Sequence, residues 1–136
     1  YRVLLSAYTH SAVDGLLRKF RSCNPHIRPL RIGRPSSVAA DMRDCILNSD
    51  GSCRTTEDLK RLFKEVPVAG GTALTVSSHN LLESPSVLDG APFAFDYVIV
   101  DEAGQILLPA SLGPLRLGRV FILVGDHYQL PPLVSN

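Results

Sequence analysis

Apolar residues in this chain follow two rhythms. Unbroken runs occur at Val3-Leu4-Leu5, at Val98-Ile99-Val100 and at residues 120–124 (VFILV). Short runs of this kind, bounded by polar residues, read as parallel strands buried on both faces. Elsewhere the spacing is helical. Ala12, Val13, Leu16, Leu17 and Phe20 share one face, as do Leu59, Leu62, Phe63 and Val66. Each set is an apolar stripe with the period of an α-helix.

The predicted elements begin with a strand over 2–7 and a polar loop over 8–11. A helix to Phe20 follows, capped by Ser11 with Asp14 at the capping-box position. A loop holding Pro25 and Pro29 leads to a short strand over 30–33 and a weaker helical stretch over 35–47. A turn at 48–52 (NSDGS) precedes a helix over 56–66, which Thr55 and Asp58 cap and Pro67 ends. Gly70-Gly71 leads into a strand over 72–77 (TALTVS), rich in β-branched residues. A short helix or turn begins at 78, and 84–92 reads as loop. A strand over 95–100, a helix over 105–112 interrupted by Pro109, and a strand over 119–124 complete the chain. Five strands alternating with helices predict a three-layer α/β sandwich around a mostly parallel sheet.

Composition narrows the class. A length of 136 residues allows one domain with a genuine core, and 45% hydrophobic with 20% charged residues fits a globular protein. No apolar run approaches a membrane span in length. Three cysteines, Cys23, Cys45 and Cys53, form no CxxC pair, so they read as reduced thiols of an intracellular protein. The net charge of +1 hides a gradient. Residues 1–40 hold seven basic groups against Asp14, or +6, and the remainder is −5. This polarity is compatible with a nucleic-acid-facing first third and a metal-facing remainder, or equally with solvated helix ends and loops. The chain lacks an initiator methionine and opens on an apolar strand, so a fragment of a longer protein is expected.

The candidate chemistry sits where apolar runs end. FDYVIVDEAGQ at 95–105 puts Asp101 and Glu102 directly after a strand, with Gln105 close behind. The run 120–124 opens into GDHYQLPP, which carries Asp126, Gln129, Pro131 and Pro132. Ligands of parallel sheets bind at the carboxyl ends of strands. Two such ends side by side would gather Asp101, Glu102, Asp126 and Gln129 in one crevice. Magnesium prefers carboxylates, water and phosphate oxygens. Asp101 would hold the hydrated ion, and Glu102 would act as general base toward the attacking water. Gln129 would hydrogen-bond the terminal phosphate, and Asp126 would fix its own loop or touch the metal's water shell. Thr9 and His10, at the end of the first strand, read either as a contact to a nucleic-acid backbone or as turn and cap chemistry.

DEAGQ and GDHYQLPP resemble motifs II and III of superfamily-one helicases of the Upf/Dna-two type, and YTHSAVD at 8–14 resembles motif Ia. LRIG at 30–33 resembles the short strand after motif Ia, and TVSSHNLL at 75–82 falls where a further DNA-contacting loop lies in that family. THSAVD, VDEA-x-Q-I and GDHYQLPPLV together put the helicase/nuclease branch, Dna-two, nearest. Residues 36–66 fall outside the resemblance. It implies an incomplete RecA-like P-loop NTPase sandwich over 1–136, part of an ATP-dependent 5′–3′ DNA helicase or translocase. ATP and magnesium are the implied cofactors, with Glu102, Asp101 and Gln129 catalytic. Asp101, Gln105, Asp126 and Gln129 would meet the nucleotide and its metal. Thr9, His10, His79, Pro131 and Pro132 would meet single-stranded DNA, or RNA in the Upf-type alternative. A catalytically inactive RecA-like binding module is a further alternative.

Two departures matter. Gly104 stands where the family usually has serine, which leaves both carboxylates intact. No G-x-x-x-x-G-K-[ST] occurs in the chain, so the phosphate cradle and its lysine are expected from an upstream segment, and a second RecA-like domain from a downstream one. The three cysteines match none of the family's iron–sulfur ligands; such a cluster would belong to the parent. This chain alone is expected neither to hydrolyse ATP efficiently nor to unwind DNA. A nuclear or mitochondrial parent fits the resemblance.

Overall fold

A computed structural model describes residues 1–46, 51, 55–79, 82, 94–126, 128, 131 and 132. The strands are β1 (Val3–Ala7), β2 (Leu30–Arg31), β3 (Val68–Thr72), β4 (Phe95–Val100) and β5 (Gly118–Leu123). The helices are α1 (His10–Cys23), α2 (Thr56–Glu65), α3 (Ala73–Ser77) and α4 (Leu108–Leu115). Short 3-10 turns occur at Pro35–Ser37, Ala40–Cys45 and Ala103–Gln105. The strands form one sheet in the order β2-β3-β1-β4-β5, and every described pairing is parallel.

Alternation along β1 explains the layers. Leu4 packs into a core with Val98, Val100, Phe63, Ala73 and Val76, the side of α2, α3 and α4. Val3, Leu5 and Ala7 pack on the opposite face with Val13 and Leu17 of α1 and Met42 and Cys45 of a 3-10 turn. Helices therefore cover both faces, which is the expected three-layer α/β sandwich. β1 is the central strand, so its apolar run is no exposed edge. The open apolar edge is β5 instead. Val120, Phe121, Ile122, Leu123 and Val124 are each between 44% and 56% exposed.

Two sequence expectations need correcting. The segment read as a strand over 72–77 is the helix α3, and the strand lies earlier, at β3. Glycine explains why. A Cβ on Gly70 would lie 2.8 Å from the Leu17 side chain, and one on Gly71 would lie 2.6 Å from Val76. Both glycines serve close packing between helices, a strand use of glycine that resembles a turn in sequence. Thr72 then caps α3 by accepting from the Thr75 N–H at 3.3 Å. Pro109, expected to interrupt a helix, stands in the first turn of α4, where its missing N–H costs nothing.

The cap of α1 also moves. Thr9, and not Ser11, is the N-cap, its hydroxyl accepting from the Ala12 N–H at 3.2 Å. Asp14 is freed from capping and pairs with Arg31. The capping box of α2 forms as expected, with Thr55 and Asp58 bonded reciprocally.

Candidate nucleotide and nucleic-acid site

β4 and β5 bring two of the predicted strand ends together. The Val124 N–H donates to Val100 O at 2.8 Å, and the Ala103 N–H donates back to Val124 O at 2.9 Å. Gly125 then passes so close to the turn after β4 that an added Cβ would meet the Gly104 nitrogen at 3.1 Å. Asp101, Glu102 and Asp126 are thereby held at one end of the sheet, on adjoining segments. Gln105 lies in the 3-10 turn just beyond, its N–H donating to Glu102 O at 2.9 Å. Gln129 lies outside the described residues.

The acid pair has an unusual backbone. Glu102 has φ of 53°, the sole non-glycine residue with positive φ among the described residues. For an L-residue the left-handed region costs about 1–2 kcal/mol. Asp101 supports the turn: its N–H donates to Ser6 O at 2.8 Å, and its Oδ1 accepts from the Glu102 N–H at 2.9 Å. Glu102 Oε2 is buried and has no hydrogen-bond partner among the described residues. Glu102 thus combines a strained backbone with a carboxylate oxygen held out of bulk water and unsatisfied among the described residues.

Asp126 has a structural partner, since its Oδ1 accepts from the Tyr128 N–H at 2.9 Å. It thus fixes its own loop, one of the two roles read for it. Tyr128 itself is 87% exposed. Pro131 is exposed and Pro132 half-buried. A Cβ on Gly104 would lie 3.7 Å from Asp126 O, an ordinary contact, so the glycine leaves this geometry unchanged. Among the described residues no group of three His, Cys, Asp or Glu side chains gathers around a point. The donor set fits a hydrated hard cation that takes most of its ligands from water and phosphate, not a closed protein cage.

Thr9 and His10 stand at the end of β1, where α1 begins. A buried network sequence reading missed lies beneath them. Arg31 is fully buried; its Nε donates to Asp14 Oδ1 at 2.6 Å and its Nη1 to Ile32 O at 2.7 Å. The Asp14 Oδ2 accepts from the Ala39 N–H at 2.8 Å. Arg31 Nη2 lies 3.1 Å from His10 Nδ1. A guanidinium can only donate, so Nδ1 is the acceptor and His10 carries its proton on Nε2. Burial first, and the Arg31 charge second, push the His10 pKa below its ordinary value against the pull of Asp14. The one signal in the sequence was the odd position of Asp14 on the apolar side of α1.

His79 takes a different environment. Its ring packs at 6.0 Å from Phe63, its Nδ1 is buried without a partner among the described residues, and burial lowers its pKa. Part of the charge gradient of the sequence is neutralised within the fold. Arg18 pairs with Asp41, Arg21 with Asp44 and Arg31 with Asp14.

A parallel five-stranded sheet covered by helices on both faces, with an acid pair after an inner strand, defines a RecA-like α/β fold. The family described as AAA domain matches residues 48–136, and the chain belongs to that family. It is 42% identical over 134 residues to the DNA replication ATP-dependent helicase/nuclease JHS1 of Arabidopsis thaliana, covering 98% of this chain and 9% of that protein. To the DNA replication ATP-dependent helicase/nuclease DNA2 of Saccharomyces cerevisiae it is 44% identical over 135 residues, 99% of this chain and 8% of the relative. To the human DNA2 protein of the same description it is 36% identical over 139 residues, covering 100% and 12%. The chain thus spans about a tenth of the curated relatives it matches. No described helix is long and apolar enough to cross a membrane.

Proposed function

We propose that this chain is the water- and metal-activating half of the ATP site of a DNA helicase or translocase, and carries part of its single-strand contact. The carrying observation is Glu102: a left-handed residue at a strand end whose Oε2 is buried and unpartnered. Such an oxygen suits a water that would be deprotonated as it attacks the terminal phosphate. Asp101 anchors the turn and offers a carboxylate to a hydrated magnesium ion. Magnesium, when bound, neutralises charge on the outer phosphates. Asp126 holds the following loop, from which Gln129 would reach the terminal phosphate. Gln105 adds a polar group beside the pair.

The relatives' names support ATP dependence, DNA as the polymer and replication as the setting. A parent with 5′–3′ polarity and a nuclear location, mitochondrial also, is consistent with that reading. The phosphate cradle and the second motor domain would come from other parts of the parent. Thr9, His10, Pro131 and Pro132 would face the strand, together with the loop holding His79.

The test is phosphate release by the parent protein with single-stranded DNA and with single-stranded RNA. Turnover should rise with DNA, fall to background in Asp101→Asn, and be absent from the 136-residue chain alone. Stimulation by RNA and not DNA would favour the Upf-type reading. Robust turnover by the Asp101→Asn parent would overturn the assignment.

A further inference from the structure

The helix α4 turns its small residues inward. Ser111 and Pro114 are buried, and the Ser111 hydroxyl is satisfied locally by donating to Leu108 O at 2.8 Å. Leu108 and Leu112, one turn apart, are 73% and 56% exposed. A helix with one face in water ordinarily does the reverse, with leucine inside and serine outside. Leu74 of α3, 65% exposed, and Leu107 add to the same open side. Leu74, Leu107 and Leu112, with Ser77, Gly113 and Arg116, line a groove of about 610 Å³ between α3 and α4. Gly113 keeps the two helices close, since an added Cβ would collide with Ser77. An apolar patch of this kind, rimmed by polar groups, marks a contact with other protein.

The chemistry of the occupant follows from the lining. Arg116 is its charged residue, exposed at the end of α4. Arg116 Nη2 donates to Ser77 O at 3.3 Å, and among the described residues no carboxylate pairs with this guanidinium. The groove holds no acid. Its complement is therefore apolar along most of its length and carries a carboxylate at one end. A trough between two helices accepts the apolar face of a third. A helix about 10 Å across fills roughly 400 Å³ per turn, so the groove seats about one and a half turns. That is far less surface than the about 800 Å² each partner of a free-standing complex buries. A contact this short holds when both parts belong to one chain, because tethering raises their effective concentration. This chain covers 9% and 8% of two relatives, so a parent of their length has ample chain to supply such a segment.

We propose that the groove between α3 and α4 seats a short amphipathic helix from another part of the same parent chain. Its apolar stripe lies on Leu74, Leu107 and Leu112, and its Asp or Glu pairs with Arg116. The inference rests on the reading of this chain as part of a longer helicase.

The measurement is site-specific crosslinking in the full-length parent, with a photoreactive amino acid in place of the exposed Leu112 and the product mapped by mass spectrometry. The crosslink should be intramolecular and should fall on a segment with an apolar stripe of helical spacing and an acid at one end. Arg116→Glu, at an exposed position that leaves folding intact, should cut the yield roughly ten-fold, as like charges brought together do. Replacing the acid of the crosslinked segment by lysine in the same protein should restore it. A crosslink between two copies, a crosslink to another protein, no crosslink, or a yield indifferent to Arg116→Glu would each overturn the proposal. DNA-stimulated ATP turnover in the same preparation keeps the two readings apart. A parent that crosslinks as stated without such turnover retains the groove and loses the helicase reading; one that turns over ATP without the crosslink does the opposite.

Discussion

Arg31 and Asp14 show how much one pair of residues can decide. Both are buried, and between them they bond the Ile32 carbonyl, the Ala39 N–H and His10. A buried pair gains little over a well-packed apolar pair, but losing one partner leaves a charge in the core. Arg31→Met should therefore destabilise the fold by about 3–5 kcal/mol, and Arg31→Met with Asp14→Leu by less. Chemical denaturation of the two variants would measure this; equal losses would show that the pair is not the cause. His79 carries a pH dependence. Burial holds its pKa below the ordinary 6.5, so the folded form binds fewer protons than the unfolded chain. Its contribution is complete above that value and is lost as pH falls through the folded pKa. The melting temperature should drop between pH 7 and pH 5, and His79→Phe, beside Phe63, should flatten the decline. An unchanged decline in that variant would refute the assignment. The acid pair was legible in the sequence because its chemistry follows an apolar run directly. The network under His10 was not, since Asp14 and Arg31 are distant in sequence and the pairing depends on the fold.

At the level of elements, strands with unbroken apolar runs were readable, and β1, β4 and β5 fall within a residue or two of expectation. β3 and α3 were not, because the same β-branched letters suit both. Local spacing could not reveal that Leu17 and Val76 press on Gly70 and Gly71. α3 and α4 cross under a similar constraint at Gly113, where an added Cβ would collide with the Ser77 side chain and crowd its backbone. Gly113→Val should separate the two helices and cost about 1–3 kcal/mol, as overpacking does. Thermal unfolding would show it. A neutral outcome would mean that the helices slide apart without strain. The apolar groove beside this crossing, lined by Leu74, Leu107 and Leu112, would change shape with it.

Across the whole molecule the covering is uneven. β1 lies at the centre with helices above and below, whereas β5 leaves a row of half-exposed apolar side chains at the sheet's edge. Open apolar edges are sites where another strand adds. In the proposed parent, the segment bearing the phosphate cradle would cover that edge and bring the missing lysine to Asp101 and Glu102. Amide hydrogen exchange across β5 should be fast in the 136-residue chain and strongly slowed in the parent; equal exchange in both would contradict this. The sequence alone does not reveal which strand is left open at the sheet's edge, because strand order is set by the packing of all five.

The central claim is that Glu102 activates the attacking water. Single-turnover cleavage of ATP by the parent, measured with nucleotide affinity in the same preparation, tests it most directly. Glu102→Gln should bind ATP as the wild type does and cleave it about 10²–10⁴-fold more slowly. Cleavage at the wild-type rate, or a loss of binding that accounts for the whole defect, would contradict it.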